Sequence, residues 1–306
     1  MPRRAPALGP TEWGLIALQA MFWGSTFFFI AIARQHVPPL TLSVIRLVPA
    51  ALLLTAIVSA MGLRWPATWR EWRHLLVFSA LNNAVPFLLI IYAQRQVTGG
   101  IAAIFMAMGP LWALLLTPWF VAEERFTWQR LAGILVGITG VAVITGASGS
   151  AGTGSAQAML VLATILFASA NIYARKFLGG HHPFVIACGQ IIGAFVLTLP
   201  LALAIEQPFQ MPNPGTQIWL AMLAMGLLGS GLAPLCHFTV LRRAGPVNSM
   251  LASIVVPVTP VVLGALFLGE RLSQHEFIGA GIIACGLLII DGRPLKWVRS
   301  KFGHRA

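Results

Sequence analysis

Five polar side chains interrupt long apolar stretches of this chain: Arg46, Asn82, Asn83, Gln190 and His237. A guanidinium, three amides and an imidazole can exchange hydrogen bonds with a ligand. Catalysis would require a nucleophile beside a base, or a metal-binding cluster. The nearest approach to either is the pair His181 and His182, which has no ligating neighbours in the local sequence. These residue types therefore indicate non-covalent recognition of a small molecule rather than an enzyme.

Arg46 is the one charge near the middle of an apolar run. An arginine that faces lipid costs from a few to more than ~10 kcal/mol, depending on the reference state. Two interpretations stay open. In the first, Arg46 meets a substrate carboxylate or a helix carbonyl end. In the second, it pairs with backbone or reaches the inner water layer. A neutral glutamine stands at the corresponding place in the second half of the chain, which favours the structural interpretation.

His237 is the other titratable candidate, since histidine changes charge near physiological pH. A proton-coupling site is one interpretation. A neutral histidine bonded to a neighbouring carbonyl is the one we favour. Ser230 and Cys236 lie near it, around Pro234.

Prolines stand close to these polar groups, and each removes a backbone donor and bends its helix. Breaks at corresponding places in two halves indicate a site, although prolines that only shape the bundle are the alternative. The helix-breaking candidates are Pro86, Pro110, Pro234 and Pro257. The other candidates for lining a cavity are aromatic, sulfur-containing or small polar residues: Trp23, Ser25, Tyr92, Met108, Trp112, Asn171, Tyr173, and Ser249 with Ser253 on one face of the ninth helix.

The elements that position these residues are apolar helices. Hydrophobic residues make up 58% of the chain and charged residues 9%, whereas soluble domains are about a quarter charged. We count ten apolar runs near the roughly 20 residues that span a bilayer: 12–33, 40–61, 74–93, 98–120, 128–146, 157–178, 184–205, 216–241, 246–268 and 274–291. The sequence therefore predicts an all-α membrane protein with ten transmembrane helices.

The net charge of +12 sits mostly in short joins between runs, so lipid rather than nucleic acid is the expected partner. If the N-terminus is inside, the outer segments hold only Arg34, Arg95 and Arg271 among the basic residues. This bias predicts a multi-pass protein of the bacterial inner membrane with both termini cytoplasmic. We expect a monomer, and the GxxxG pair Gly133 and Gly137 leaves packing on the tenth helix or a homodimer open.

The two halves of the chain repeat each other. An offset of 144 pairs Arg46 with Gln190, and an offset of 148 pairs Pro86 with Pro234. Five helices per copy is an odd number, so the second copy is inverted, as in many secondary transporters with a site between the halves. We divide the chain into a first repeat (1–146), a Gly/Ser outer loop (147–156), a second repeat (157–292) and a basic cytoplasmic tail (293–306).

An ordered set of short motifs resembles the EamA domain of the drug/metabolite transporter superfamily in its ten-helix form. The set contains Trp23-Gly24-Ser25, Ile45-Arg46, Thr98-Gly99, Pro110, Glu123-Glu124-Arg125, Gly133 and Gly140 in the first half, and Pro257, Gly269-Glu270-Arg271, Gly279 and Gly286 in the second. The second half departs from it at Phe167-Ala168-Ser169 and at Gln190. The resemblance implies a central cavity enclosed by helices one to four and six to nine, and transport of amino acids or metabolites. Within the superfamily the chain resembles the amino-acid and metabolite exporters, among them the YddG type, which exports aromatic amino acids.

No Asp or Glu stands in the middle of any run, which disfavours exchange of cationic drugs for protons. We therefore predict a secondary transporter, without a cofactor, that exports neutral or zwitterionic metabolites by alternating access. Amino acids, including aromatic ones, are the expected substrates. The alternatives are a drug exporter or a carrier of nucleobases, nucleotide sugars or phosphorylated compounds. A phosphate group would call for several cations in the cavity, and Arg46 is alone.

Overall fold

The computed structural model describes residues 9–120, 128–147, 153–249 and 251–291, and within these ranges the chain forms helices and no strands. We number ten membrane segments. They are α1 (Pro10–Ala33), α2 (Pro39–Ala60), α3 (Trp69–Ser79, Ala80–Ala84 and Val85–Ala93), α4 (Gly99–Met106 and Gly109–Phe120), α5 (Trp128–Ala147), α6 (Gly154–Phe177), α7 (Pro183–Ile205), α8 (Thr216–Ala224, Met225–Leu232 and Ala233–Ser249), α9 (Leu251–Val255 and Val258–Phe267) and α10 (Gln274–Asp291). A short 3-10 turn, Pro208–Gln210, precedes α8.

The length and composition of these helices confirm the predicted fold class. Among the described residues, 7 helices are long and apolar enough to cross a membrane, and α5, α9 and α10 contribute shorter apolar helices. The clearest difference concerns α8, which was expected to end at 241 but continues through Pro246 to Ser249. Membrane helices tolerate proline when neighbours satisfy the freed carbonyl. Ser249 therefore belongs to α8 and Ser253 to α9, so the prediction that they share one face of one helix is wrong.

The helices pack as an inverted pair of repeats. α1 lies against α8 and α9, and α6, its counterpart in the second half, lies against α3 and α4. α2 packs against its own counterpart α7, and α5 packs mainly against α10. The first helix of each half thus buries its surface on the third and fourth helices of the other half. The two halves consequently share one hydrophobic core and do not form separate domains.

Loops that the topology assigns to the same side of the membrane contact each other. Arg34 Nη1 donates to the carbonyl of Val97 over 3.1 Å, and Ser155 Oγ donates to Gln96 Oε1 over 3.1 Å. At the opposite end, His181 Nε2 lies 3.7 Å from Glu71 Oε1. We call these the predicted outer and inner ends, because which of them faces the cytoplasm remains a prediction. The N-terminal residues 1–8, loop residues 148–152 and the tail 293–306 lie outside the described residues.

Glycines form the contact between α5 and α10. A Cβ added at Gly133 would lie 2.7 Å from the carbonyl oxygen of Gly286, and one added at Gly140 would lie 2.7 Å from that of Gly279. Only glycine lets the two backbones approach this closely. Gly137, the second glycine of the GxxxG pair, faces the side chain of Leu111 in α4. Both glycines of the motif are therefore used for packing within the chain.

A capping box starts α3 at the predicted inner end. The Glu71 carboxylate accepts from the backbone N–H of Thr68 over 2.9 Å and of Ala67 over 2.8 Å, while Thr68 Oγ accepts from Glu71 N. These bonds satisfy backbone donors that the first turn of α3 would otherwise leave unpaired.

Glu71→Ala is therefore expected to unfold at a lower temperature than the parent protein, because the start of α3 loses the acceptor of its capping box. Thermal unfolding of both proteins in the same detergent measures this effect. Equal unfolding temperatures would show that the capping box contributes nothing to stability.

Candidate functional site

Arg46 lies at the meeting point of the two halves. Its side chain is fully buried. Nη1 donates to Ser230 Oγ over 2.8 Å, Nη2 donates to Asn83 Oδ1 over 2.5 Å, and the Phe87 ring centroid lies 3.6 Å from the guanidinium carbon. Nε finds no hydrogen-bond partner in the part of the chain that the structure describes. The buried positive charge thus has two neutral oxygen partners and an aromatic ring, and no carboxylate partner among the described residues.

A second hydrogen bond between the halves mirrors the first. Asn82 Nδ2 donates to Gln190 Oε1 over 2.5 Å. Gln190 corresponds to Arg46 at the offset of 144, and Ser230 corresponds to Asn82 at the offset of 148. Each bond therefore joins the second helix of one half to the third helix of the other. The structure brings together four of the predicted site residues, together with Ser230, in one network around the pseudo-two-fold relation.

Matching π-helical turns carry this network. Asn82 and Asn83 lie in the turn Ala80–Ala84, and Ser230 lies in the turn Met225–Leu232. The helix that follows each turn has proline, Pro86 or Pro234, at its second position. A π turn is wider than an α turn and often occurs at functional sites. Both halves thus interrupt corresponding helices and place their polar residues at the interruption.

Glycines let α8 approach its neighbours at this interruption. A Cβ added at Gly226 would lie 2.5 Å from Pro49 Cγ in α2, and Gly229 faces Thr26 in α1. A larger residue at either place would push α8 away from the helices it contacts.

Aromatic rings extend the surface beside the guanidinium. The Phe87 ring under Arg46 meets Phe167 of α6 edge to face, with centroids 6.2 Å apart. Nothing in the sequence distinguishes Phe87 from the other phenylalanines, of which the chain has 18 in all. The site accordingly combines one cation, neutral hydrogen-bonding groups and apolar rings.

His237 lies further along α8, and its side chain contacts α1. Its Nδ1 is 3.1 Å from Gln19 Nε2, and its ring centroid is 5.2 Å from that of Trp23. An amide NH2 group only donates, so Nδ1 accepts and a neutral imidazole would carry its proton on Nε2. This contact is to an amide group, and both the expected carbonyl partner and a role of His237 in transport stay predictions. Gln19 was missed, although a glutamine in the first apolar run was a usable signal.

Tyr173 lies between α6 and α3 near the predicted inner end. Its hydroxyl is 2.7 Å from His74 Nδ1. The His74 ring stacks on Phe177, and the Tyr173 ring is tilted against the same phenylalanine with centroids 4.6 Å apart. His74 stands more than two helical turns from Asn83 along α3, so Tyr173 belongs to the inner end rather than to the Arg46 network.

The remaining candidates are spread over the bundle. Ser25 is buried, and its hydroxyl donates to the carbonyl of Phe22 in its own helix over 2.9 Å. Met108 is buried in the core, and the indole nitrogen of the half-buried Trp112 finds no partner among the described residues. Pro110 and Pro257 lie at the breaks within α4 and α9, Tyr92 and Asn171 are exposed, Ser253 is half-buried, and the side chain of Ser249 lies outside the description.

Relatives of this chain include membrane transporters. The chain is 26% identical to the uncharacterized inner membrane transporter YedA of Escherichia coli (strain K12), over 92% of this chain and 90% of that protein. It is 25% identical to a probable terminal-alkyne amino-acid exporter of Streptantibioticus cattleyicolor, over 94% and 95% of the two chains. It is 27% identical to protein PecM of Dickeya dadantii, over 91% and 92%.

A solved crystal structure shares the fold, with a TM-score of 0.66 at 20% identity, covering 92% of this chain and 98% of that one. The EamA-like transporter family matches residues 12–146 and, a second time, residues 154–291. The two matches cover both halves of the inverted repeat, and this family consists of transporters, not enzymes. The chain therefore belongs to the EamA-like transporter family.

Proposed function

We propose that this transporter exports amino acids, including aromatic ones, across the bacterial inner membrane by alternating access. The observation that carries the proposal concerns Arg46. Its buried guanidinium lies at the seam between the halves, where α2 and α3 bond to α8 and α7. It has no carboxylate partner among the described residues. A zwitterionic substrate brings a carboxylate of its own. The rings of Phe87 and Phe167 beside the guanidinium suit an apolar or aromatic side chain.

The distribution of acidic residues supports a neutral or zwitterionic substrate. The described carboxylates lie at helix ends or in loops: Glu12, Glu71, Glu206, Glu270 and Glu276. A cationic drug would need a buried carboxylate within the bundle to replace its hydration. Nothing in the described spans offers one, so drug export has less support.

Phosphorylated compounds and nucleotide sugars form the second class of candidate substrates. A phosphate binds best to several cations at once. Arg46 is the only Lys or Arg that is fully buried in the described part of the chain. A single guanidinium matches one carboxylate better than a doubly charged phosphate.

The exporter relative from Streptantibioticus gives independent support, since it is named for an amino acid. The rest of the proposal follows the charge pattern and the repeat. Both termini face the cytoplasm, the protein works as a monomer in the bilayer, and the halves rock about the shared seam. The resemblance to the YddG type and the division into two repeats with a connecting loop belong to the same proposal.

Efflux from proteoliposomes tests the proposal. Vesicles that contain the purified protein and labelled phenylalanine, tryptophan or threonine are expected to release label faster than empty vesicles, meaning vesicles with the same label and no protein. The release should saturate and show counterflow. Non-saturable release without counterflow would indicate a passive channel instead. Release no faster than from empty vesicles for every amino acid would refute the proposed substrate class.

The same assay with an imposed pH gradient examines His237. We expect the final distribution of label to be insensitive to the gradient, since His237 is interpreted as a neutral structural residue. If the gradient changes the distribution in the parent and has no effect on the His237→Ala variant, that interpretation is wrong.

A further inference from the structure

We propose that Ser230 and Asn83 accept the hydrogen bonds of Arg46 that a substrate carboxylate accepts when it binds. Substrate binding then breaks the hydrogen bond between Arg46 and Ser230, which joins the two halves. This inference rests on the proposed function and adds to it the binding group and the link between binding and opening.

The geometry of the guanidinium is the first step. Arg46 has one oxygen on each terminal nitrogen, Ser230 Oγ on Nη1 at 2.8 Å and Asn83 Oδ1 on Nη2 at 2.5 Å. A single carboxylate binds a guanidinium end-on with one oxygen on each of these nitrogens. Two neutral oxygens from different helices therefore accept from the same two nitrogens that an end-on carboxylate would bind.

The second step concerns charge. Hydrogen bonds between a guanidinium and a carboxylate are roughly twice as strong as those between neutral groups. Ser230 and Asn83 give each terminal nitrogen one acceptor but no negative charge. Nε has no hydrogen-bond partner among the described residues. A carboxylate that reaches Arg46 should thus displace both oxygens, because it satisfies the donors and neutralises the buried charge together.

The third step concerns the halves. Asn83 is in the same half as Arg46, whereas Ser230 comes from the other half. Displacing Ser230 therefore removes one of the two symmetry-related bonds across the seam. The bond between Asn82 and Gln190 does not involve Arg46 and stays in place. Only one side of the pseudo-two-fold seam responds to a carboxylate, since Gln190 carries no charge. Substrate binding in this scheme loosens the seam on one side.

Binding measurements on the purified full-length protein test this inference. The probes are L-phenylalanine, phenethylamine, which lacks the carboxylate, and 3-phenylpropionate, which lacks the amine. The variants are Arg46→Gln, Arg46→Lys and Ser230→Ala, with Ser43→Ala as the matched control. Ser43 is a buried serine in α2 whose hydroxyl finds no partner among the described residues. Thermal unfolding of each variant shows whether it folds, and Arg46→Lys serves if Arg46→Gln does not.

The Arg46→Gln and Ser230→Ala variants are expected to change the affinity for phenylalanine in opposite directions. Arg46→Gln should lower the affinity for phenylalanine and for 3-phenylpropionate at least about tenfold, and it should leave the affinity for phenethylamine unchanged. Ser230→Ala should tighten phenylalanine binding several-fold, because it removes the competitor, while Ser43→Ala leaves it unchanged. A purely structural role would make both Arg46→Gln and Ser230→Ala weaken all three probes alike, and that result would overturn the inference.

The inference and the proposed function can fail separately. If the parent protein releases amino acids from vesicles and Arg46→Gln keeps the parent preference for carboxylates, the inference fails and the function stands. If the parent moves no amino acid but binds 3-phenylpropionate through Arg46, the function fails and the carboxylate site stands.

Discussion

Replacing Gly286 with valine is expected to destabilise the protein by about 3 kcal/mol or more, because the new side chain cannot fit between α5 and α10. A Cβ at Gly286 would lie 2.7 Å from the carbonyl oxygen of Gly133 and 2.8 Å from the amide nitrogen of Gly137. These neighbours are backbone atoms, so they move only if the helices separate. Separation would expose the apolar contact that holds α10 to α5.

The control is Gly281→Val in the same helix. Nothing lies within 4 Å of a Cβ at Gly281, and the two substitutions change helix propensity equally. Thermal unfolding of both variants in the same detergent measures the difference. Similar unfolding temperatures for the two variants would mean that the close approach of α5 and α10 does not stabilise the fold.

The same contact shows what the sequence could and could not predict. The offset of 146 aligns Gly133 with Gly279 and Gly140 with Gly286, which indicates equivalent roles in two copies. The contacts instead pair Gly133 with Gly286 and Gly140 with Gly279. An inverted repeat runs these helices antiparallel, so equivalent residues lie at opposite ends of the contact. Sequence offsets identify which residues are equivalent, and only the packing identifies which residues touch.

The candidate site divides in a similar way. Arg46, Asn82, Asn83 and Gln190 were predictable, because a polar group within an apolar run is visible in the sequence. Their pairing was not, since the bond from Arg46 to Ser230 joins residues 184 positions apart. Phe87 has no signal in the sequence, and Ser249 fell in the wrong helix because α8 continues through Pro246. Asn171 is exposed and the Tyr173 hydroxyl contacts His74, and whether either residue lines the cavity stays a prediction.

A carboxylate from the second half holds the start of α2 at the predicted outer end. Glu206 follows α7 and accepts hydrogen bonds from the backbone N–H of Leu40 at 3.0 Å, and from the N–H and hydroxyl of Thr41 at 2.7 and 2.8 Å. The residue before α2 is Pro38, whose side chain makes no cap. Glu206 therefore supplies the negative charge and acceptors that the N-terminus of α2 lacks.

A second carboxylate acts in the same way nearby. Glu270 accepts a hydrogen bond from the backbone N–H of Gly99 at the start of α4. Burial of the Glu270 carboxyl group raises its pKa. Both carboxylates come from the second half and both cap helices of the first half. These contacts join α7 and the loop after α9 to α2 and α4, so in the proposed rocking motion the predicted outer end would open by breaking them.

Glu206→Ala is thus expected to loosen the predicted outer end and to lower stability by roughly 2 kcal/mol, the size of a lost cap with hydrogen bonds to a charged group. The measurement is the rate at which a membrane-impermeant thiol reagent labels a cysteine introduced at Val37, which is 2% exposed. The three native cysteines, Cys188, Cys236 and Cys285, are first replaced with serine. Labelling of the Glu206→Ala variant should be several-fold faster than labelling of the parent.

Glu276→Ala is the control that distinguishes the loss of hydrogen bonds between the halves from the loss of a helix cap. Glu276 caps its own helix at the same predicted end, with its carboxylate 2.6 Å from the backbone nitrogen of Ser273. This variant should lose some stability without faster labelling at position 37, because no bond between the halves is lost. Equal labelling of the two variants would assign Glu206 to capping alone. Faster labelling for Glu206→Ala only would show that the bonds between α7 and α2 keep this end closed, since Glu276→Ala also removes a cap at this end.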